Sequence, residues 1–148
     1  MKEEPAAMEK SRIHLSLPTA DLREGVRFYT ALFGVGPSKE RPGYARFEAA
    51  EPSVLLALVE APEFTREGGD FHYGIQVRSW KAALDILKRL ERSGYTARVE
   101  RGIECCYSVQ DKFWVKDPGG RPWEVYVRLT DEGESLSPRP AEGPILRA

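Results

Sequence analysis

RIHLSLPTADLREGVRFYTALFG, residues 12 to 34, changes its hydrophobic period halfway along. From Arg12 to Leu17 apolar and polar residues alternate, with Ile13, Leu15 and Leu17 on one face and Arg12, His14 and Ser16 on the other. That is the pattern of a half-buried strand. Beyond it, Leu22, Val26, Tyr29 and Phe33 recur at helical spacing, with Asp21 placed to cap the start and Gly34 to close the end. Two strands, at 44–49 and 53–60, follow. The same order then returns. FHYGIQV, residues 71–77, reads as a strand; Ser79 caps a helix bearing Trp80, Ala83, Leu84, Leu87 and Leu90; and Gly94 closes it. TARVE, KFWVK and WEVYV supply three more strands, with Asp117-Pro118-Gly119-Gly120 as the turn before the last. The first half lacks one strand by comparison, and the segment from Pro37 to Arg41 is where it is expected.

The repetition is of architecture, not of letters. It predicts an α+β fold of two βαβββ modules, about 11–62 and 70–130, forming a curved, cleft-enclosing, antiparallel-rich sheet with the helices outside. Residues 1–10 are expected to be a flexible N-terminal arm. Residues 131–148, rich in Pro, Gly and acid, are expected to be a flexible C-terminal tail, leaving 11–130 as the domain.

Composition narrows the function. Among 148 residues, 41% are hydrophobic and 30% charged, and the net charge is -1. No basic stripe offers a footprint for nucleic acid. No apolar run approaches the roughly 20 residues of a membrane helix, and the N-terminus has no apolar signal segment. A cytoplasmic, reducing location is expected, with the thiols free.

Both histidines occupy matching places, His14 in the first strand of one half and His72 in the first strand of the other. Each is flanked by apolar residues, so alternation turns the imidazole away from the helices. Glu124, between Trp123 and Val125, is turned the same way, and a buried carboxylate is costly unless paired or bound to a metal. Two imidazoles and one carboxylate on different strands suit the facial triad of non-haem Fe(II) oxygen chemistry; zinc fits less specifically. The plain alternative is that the histidines are ordinary hydrogen-bonded residues and that Glu124 pairs with Arg128 or Tyr126.

The two cysteines are adjacent, Cys105 and Cys106, in ECCYSVQDKFW. Neighbouring Cα atoms lie about 3.8 Å apart, short of the roughly 4.4 to 6.8 Å of a relaxed disulfide. They are therefore either small packed residues or free thiols facing a soft ligand. In an extended segment they would face opposite sides, so meeting one atom requires a loop or turn. Lys112 and Arg101 are close enough in sequence to favour thiolates. Tyr44, Tyr107, Trp114 and Tyr126 could line a pocket or simply fill core and rim.

The strand order with His14, His72 and Glu124 in these places resembles the vicinal oxygen chelate superfamily of glyoxalases, bleomycin-resistance proteins and dioxygenases, over residues 12–128. Glyoxalases take a fourth ligand from the end of the first module. Here SVLLALVE is apolar until Glu60, which suits a three-ligand site. The run CCYSVQDKFWVKDPGGRPWEVY, with RPGYARFEA in the first half, resembles the organoarsenical carbon-arsenic lyases, a branch that includes cadmium-induced proteins. It departs from them at Glu104 and Ser108, which bears on substrate choice. The resemblance implies an Fe(II)-dependent dioxygenase, other divalent metals being open, that cleaves trivalent organoarsenicals. His14, His72 and Glu124 would hold the metal, and no further catalytic residue is implied. Cys105 and Cys106 would bind arsenic, with Lys112 and Tyr107 at the substrate. The implied partners are the small-molecule arsenical and dioxygen, with a homodimer as the family's frequent assembly. A protein that sequesters a drug or soft metal, and a ring-cleaving dioxygenase, stay as alternatives.

Overall fold

The helices begin where local chemistry dictates. Asp21 is extended and its carboxylate accepts the Glu24 N–H, starting α1 (Leu22–Phe33), and Gly34 ends it at φ 72. That left-handed angle is the one at which a Cβ is penalised. Ser79 likewise accepts the Ala82 N–H and starts α2 (Trp80–Arg92), with Gly94 beyond its end at φ 87. Around them run β1 (Ile13–Thr19), β2 (Lys39–Arg41), β3 (Tyr44–Ala50), β4 (Ser53–Glu60), β5 (Tyr73–Gln76), β6 (Arg98–Cys105), β7 (Ser108–Lys116) and β8 (Pro122–Asp131). The strand missing from the first half is β2, a three-residue edge paired with β3. This computed structural model describes residues 11–65, 69–105 and 108–131. The expected arm (1–10) and nearly all of the expected tail lie outside the described residues.

Each module forms its own four-stranded sheet, in the orders β1-β4-β3-β2 and β5-β8-β7-β6. Both orders place first beside last in parallel, and the other pairs are antiparallel. The sheets are therefore mixed and separate. Strand β5 is shorter than its apolar pattern: its pairing with β8 starts at Tyr73 opposite Trp123, just after Pro122, which has no N–H to give.

Helix α1 packs on β3 and β4, α2 on β7 and β8, and the helices pack on each other. Phe28, Leu32, Phe47, Leu56, Leu58, Leu90, Phe113 and Val125, all fully buried, belong to one shared core. Tyr29, Phe33, Phe47 and Trp123 meet in that core with ring centroids 5.8 to 6.3 Å apart. Since both helix-covered faces feed one core, the opposite faces of the two sheets lie outside it.

The modules are stitched by polar groups as well. Asp117 accepts from Tyr29 Oη (2.6 Å), Arg121 Nη1 (3.1 Å) and the Arg121 N–H (2.8 Å), while Arg121 Nη2 donates to the Pro18 carbonyl (2.7 Å). Trp123 Nε1 donates to Tyr29 Oη. The predicted Asp-Pro-Gly-Gly turn is thus also the joint with β1. Burial, and then the Asp117 carboxylate, hold the Tyr29 phenol well above its ordinary value near 10. Arg89 of α2 adds donations to the Ala31 and Leu32 carbonyls at the end of α1, at 3.0 and 3.1 Å. Among the described residues no helix is long and apolar enough to cross a membrane.

Candidate functional site

Strand β8 alternates as its sequence requires. Trp123, Val125 and Val127 are buried, Trp123 and Val125 within the shared core, and Glu124 and Tyr126 face the other way. The ladder sets Trp114 opposite Glu124, Lys112 opposite Tyr126, and Gly74 on the other flank of Glu124. These pairings assemble a charged cluster on the open face of the second sheet.

Its centre is the Glu124 carboxylate. Lys112 Nζ lies 2.8 Å from Oε2, and His72 Nε2 lies 3.3 Å from Oε1. Lys112 is only 2% exposed, and its ammonium also stands 5.4 Å from the Trp114 ring centre and 5.8 Å from that of Tyr126. A buried ammonium needs such an acid to offset its desolvation. The His72 ring meets Trp114 edge-on at 5.1 Å, and Trp114 Nε1 donates to Glu100 at 3.4 Å. His72 remains about half exposed, so the cluster is open to solvent on the imidazole side.

The pair His72–Glu124 fits a divalent metal. Two donors about 2.1 Å from one ion stand roughly 3.0 Å apart at a right angle and roughly 3.4 Å apart at the tetrahedral angle. The observed 3.3 Å falls within that span. His14 does not join them within one chain. It is exposed on β1, in the other sheet, where its backbone pairs with Leu55. Among the described residues no three His, Cys, Asp or Glu side chains are grouped as a metal ion would need.

Lys112 and Arg101, read from the sequence as aids to the thiols, each pair with a carboxylate. Lys112 holds Glu124. Arg101 pairs with Asp111 at 3.1 Å and lies 4.5 Å from the Trp80 ring centre. Asp111 also accepts the Gly102 N–H at 2.7 Å, fixing Gly102 at φ 66 in a bulge of β6 between Glu100 and Ile103. That bulge breaks the alternation, which is why the sequence shows β6 only as far as TARVE. In fact β6 runs to Cys105, whose backbone pairs with Ser108 at the start of β7. Cys106 and Tyr107 lie outside the described residues.

The sequence reading missed Gly74. A Cβ built there would stand 3.1 Å from Glu124 Cγ and 3.3 Å from Oε1. The available signal was a glycine inside a strand, which marks close approach by another group.

Comparison with known proteins agrees with this layout. Residues 12–125 match the family model of the Glyoxalase/Bleomycin resistance protein/Dioxygenase superfamily. A trivalent organoarsenical cleaving enzyme of Thermomonospora curvata is 45% identical over 117 residues, covering 79% of this chain and 77% of that protein. The cadmium-induced protein CadI of Mycobacterium tuberculosis is 41% identical over 122 residues, 82% of this chain and 78% of the relative. The crystal structure of a glyoxalase/bleomycin resistance protein/dioxygenase from Alicyclobacillus acidocaldarius superposes with a TM-score of 0.67 at 21% identity, over 83% of this chain and 96% of the other. With paired βαβββ modules and this sequence match, the chain belongs to the glyoxalase/bleomycin resistance/dioxygenase superfamily.

Proposed function

We propose that the protein cleaves the carbon-arsenic bond of trivalent organoarsenicals, holding the arsenic on Cys105 and Cys106 beside an Fe(II) centre. The observation that carries this reading is the Glu124 carboxylate, fixed by buried Lys112 on one oxygen and turned toward His72 with the other. Relatives at 45, 38 and 35% identity are named trivalent organoarsenical cleaving enzymes, the second as probable, and these names support the substrate class.

His72 and Glu124 would be two of the metal's ligands, with His14 as the third. Because His14 lies on the open face of the other sheet, we assign it to a second copy of the chain, whose first sheet would face the second sheet of its partner. A homodimer then completes the site twice. Fe(II) bound there would supply the activation of dioxygen. The protein's own groups do the placing. Lys112 keeps Glu124 in one orientation, so the carboxylate does not swing when a ligand arrives. The two thiolates, soft donors suited to soft arsenic, tether the substrate, and Tyr107 flanks it. Tethering turns an encounter in solution into a reaction between held partners. Cys105 ends β6 and Lys112 stands in β7, so the strand pair that carries the residue holding Glu124 also leads into the dithiol.

The test is oxygen uptake and release of inorganic arsenic by anaerobically iron-loaded protein given a trivalent methylarsenical. The double variant Cys105→Ser, Cys106→Ser should lose turnover and keep its iron. Turnover at the parent rate would overturn the dithiol assignment, and tight arsenical binding without oxygen uptake would favour a sequestering protein. Mixing inactive His14→Ala and Glu124→Ala chains should restore up to about a quarter of the activity, because random exchange makes about half of the dimers mixed and each mixed dimer holds one intact site of its two. No recovery, with exchange of chains demonstrated, would overturn the shared site.

A further inference from the structure

We propose that Gly74 is a positioning residue for Glu124: its missing side chain is the space the carboxylate occupies in order to lie between Lys112 and His72.

The ladder puts Gly74 directly beside Glu124 on the open face. A Cβ at Gly74 would sit 3.1 Å from Glu124 Cγ and 3.3 Å from Oε1, with Tyr126 Cε1 at 3.6 Å. The first two are inside the roughly 3.5 to 4.0 Å of comfortable contact. Whether such crowding matters depends on whether Glu124 can yield, and it cannot do so freely. Its Oε2 is held at 2.8 Å by an ammonium that is itself buried and has this carboxylate as its acid. Moving the carboxylate away from a new methyl would stretch that ion pair or displace Oε1 from His72.

Among the described residues nothing else at this position calls for glycine. Gly74 lies within β5 and is not among the glycines at positive φ. In an ordinary strand, glycine weakens pairing relative to a residue with a side chain. The same substitution should therefore change sign according to what stands opposite. Beside Glu124 an alanine costs stability; beside a residue too short to reach, it gains or is neutral. A role in strand flexibility alone would not produce that reversal.

Two measurements test this, and only the second rests on the metal reading proposed above. In the first, thermal unfolding of metal-free protein is followed for the parent, Gly74→Ala, Lys112→Met/Glu124→Ala, and the triple variant. The paired background removes acid and ammonium together, so no buried charge is left alone. Gly74→Ala should lower the parent midpoint by about 3 °C or more and should not lower that of the paired background. Should Gly74→Ala fail to fold, recovery of a folded triple variant gives the same support. An equal drop in both backgrounds, or none in the parent, overturns the proposal. In the second, anaerobic Fe(II) binding is measured by equilibrium dialysis. Gly74→Ala should bind about 10- to 100-fold more weakly, the usual effect of disturbing a ligand's support. Binding equal to the parent's overturns the positioning role. A parent that takes up no Fe(II) overturns the metal reading instead, and the unfolding cycle then decides the claim about Gly74 by itself.

Discussion

The two modules share a strand order and a register, yet carry different chemistry. In each, the residue two places after the histidine is paired with the module's last strand: Ser16 with Ala57 in the first, Gly74 with Glu124 in the second. One strand further, Arg46 stands where the second module has Trp114, and Tyr44 where it has Lys112. The acid that one module buries is thus an alanine in the other, and the cation that holds it is a tyrosine. The counterpart of Glu124 is Ala57 in mid-strand, and not Glu60 at the end of β4. One module is loaded and the other bare, and in the dimer proposed above the bare face brings His14 to the partner's loaded one.

Breaking the joint between the modules should cost most. Asp117→Ala removes at once the acid 3.1 Å from buried Arg121 and the acceptor of the Tyr29 phenol, and the expected loss is about 3 to 5 kcal/mol in urea unfolding. Little or no loss would mean that the shared apolar core alone unites the modules. Next comes the loaded face. Lys112→Met strands Glu124 and should cost about 2 to 4 kcal/mol, whereas Tyr44→Met at the matching place in the bare module should cost less than about 1.5 kcal/mol. Equal costs would erase the contrast between the modules.

Tyr29 sharpens the picture through pH. Its phenol titrates higher in the folded chain than in the unfolded one, so its contribution is complete below about pH 10 and is lost as the pH climbs beyond that toward the folded value. Tyr29→Phe should cost about 1.5 to 3 kcal/mol at neutral pH, for the hydrogen bond to Asp117. The variant should also show a shallower fall in stability between about pH 10 and 11, and an unchanged slope would refute that account. The smallest effect belongs to Arg46→Ala, whose exposed pairing with Glu48 at 3.5 Å should be worth under about 0.5 kcal/mol in protein diluted until the proposed dimer has separated. A larger cost there would mean that this pair holds the bare face without a partner's help.

How much was legible beforehand depends on distance along the chain. The caps at Asp21 and Ser79, the glycines at 34 and 94, and the turn at Asp117 to Gly120 were all readable, because each involves groups a few residues apart. The faces of His72 and Glu124 followed from strand alternation. What could not be read was pairing. That Lys112 takes Glu124, that Arg101 takes Asp111, and that Gly74 makes room for a carboxylate about 50 residues away depend on register between strands. No local pattern encodes that register.

The amino-acid order alone therefore determined two βαβββ modules and the sides on which their polar residues lie, since backbone geometry imposes periods of 2 and 3.6 on any chain. Only the tertiary structure decided which charges meet. Folding put an ammonium into a dry position beside Glu124 and left His14 on a separate sheet, because a buried charge must find its partner wherever packing places it.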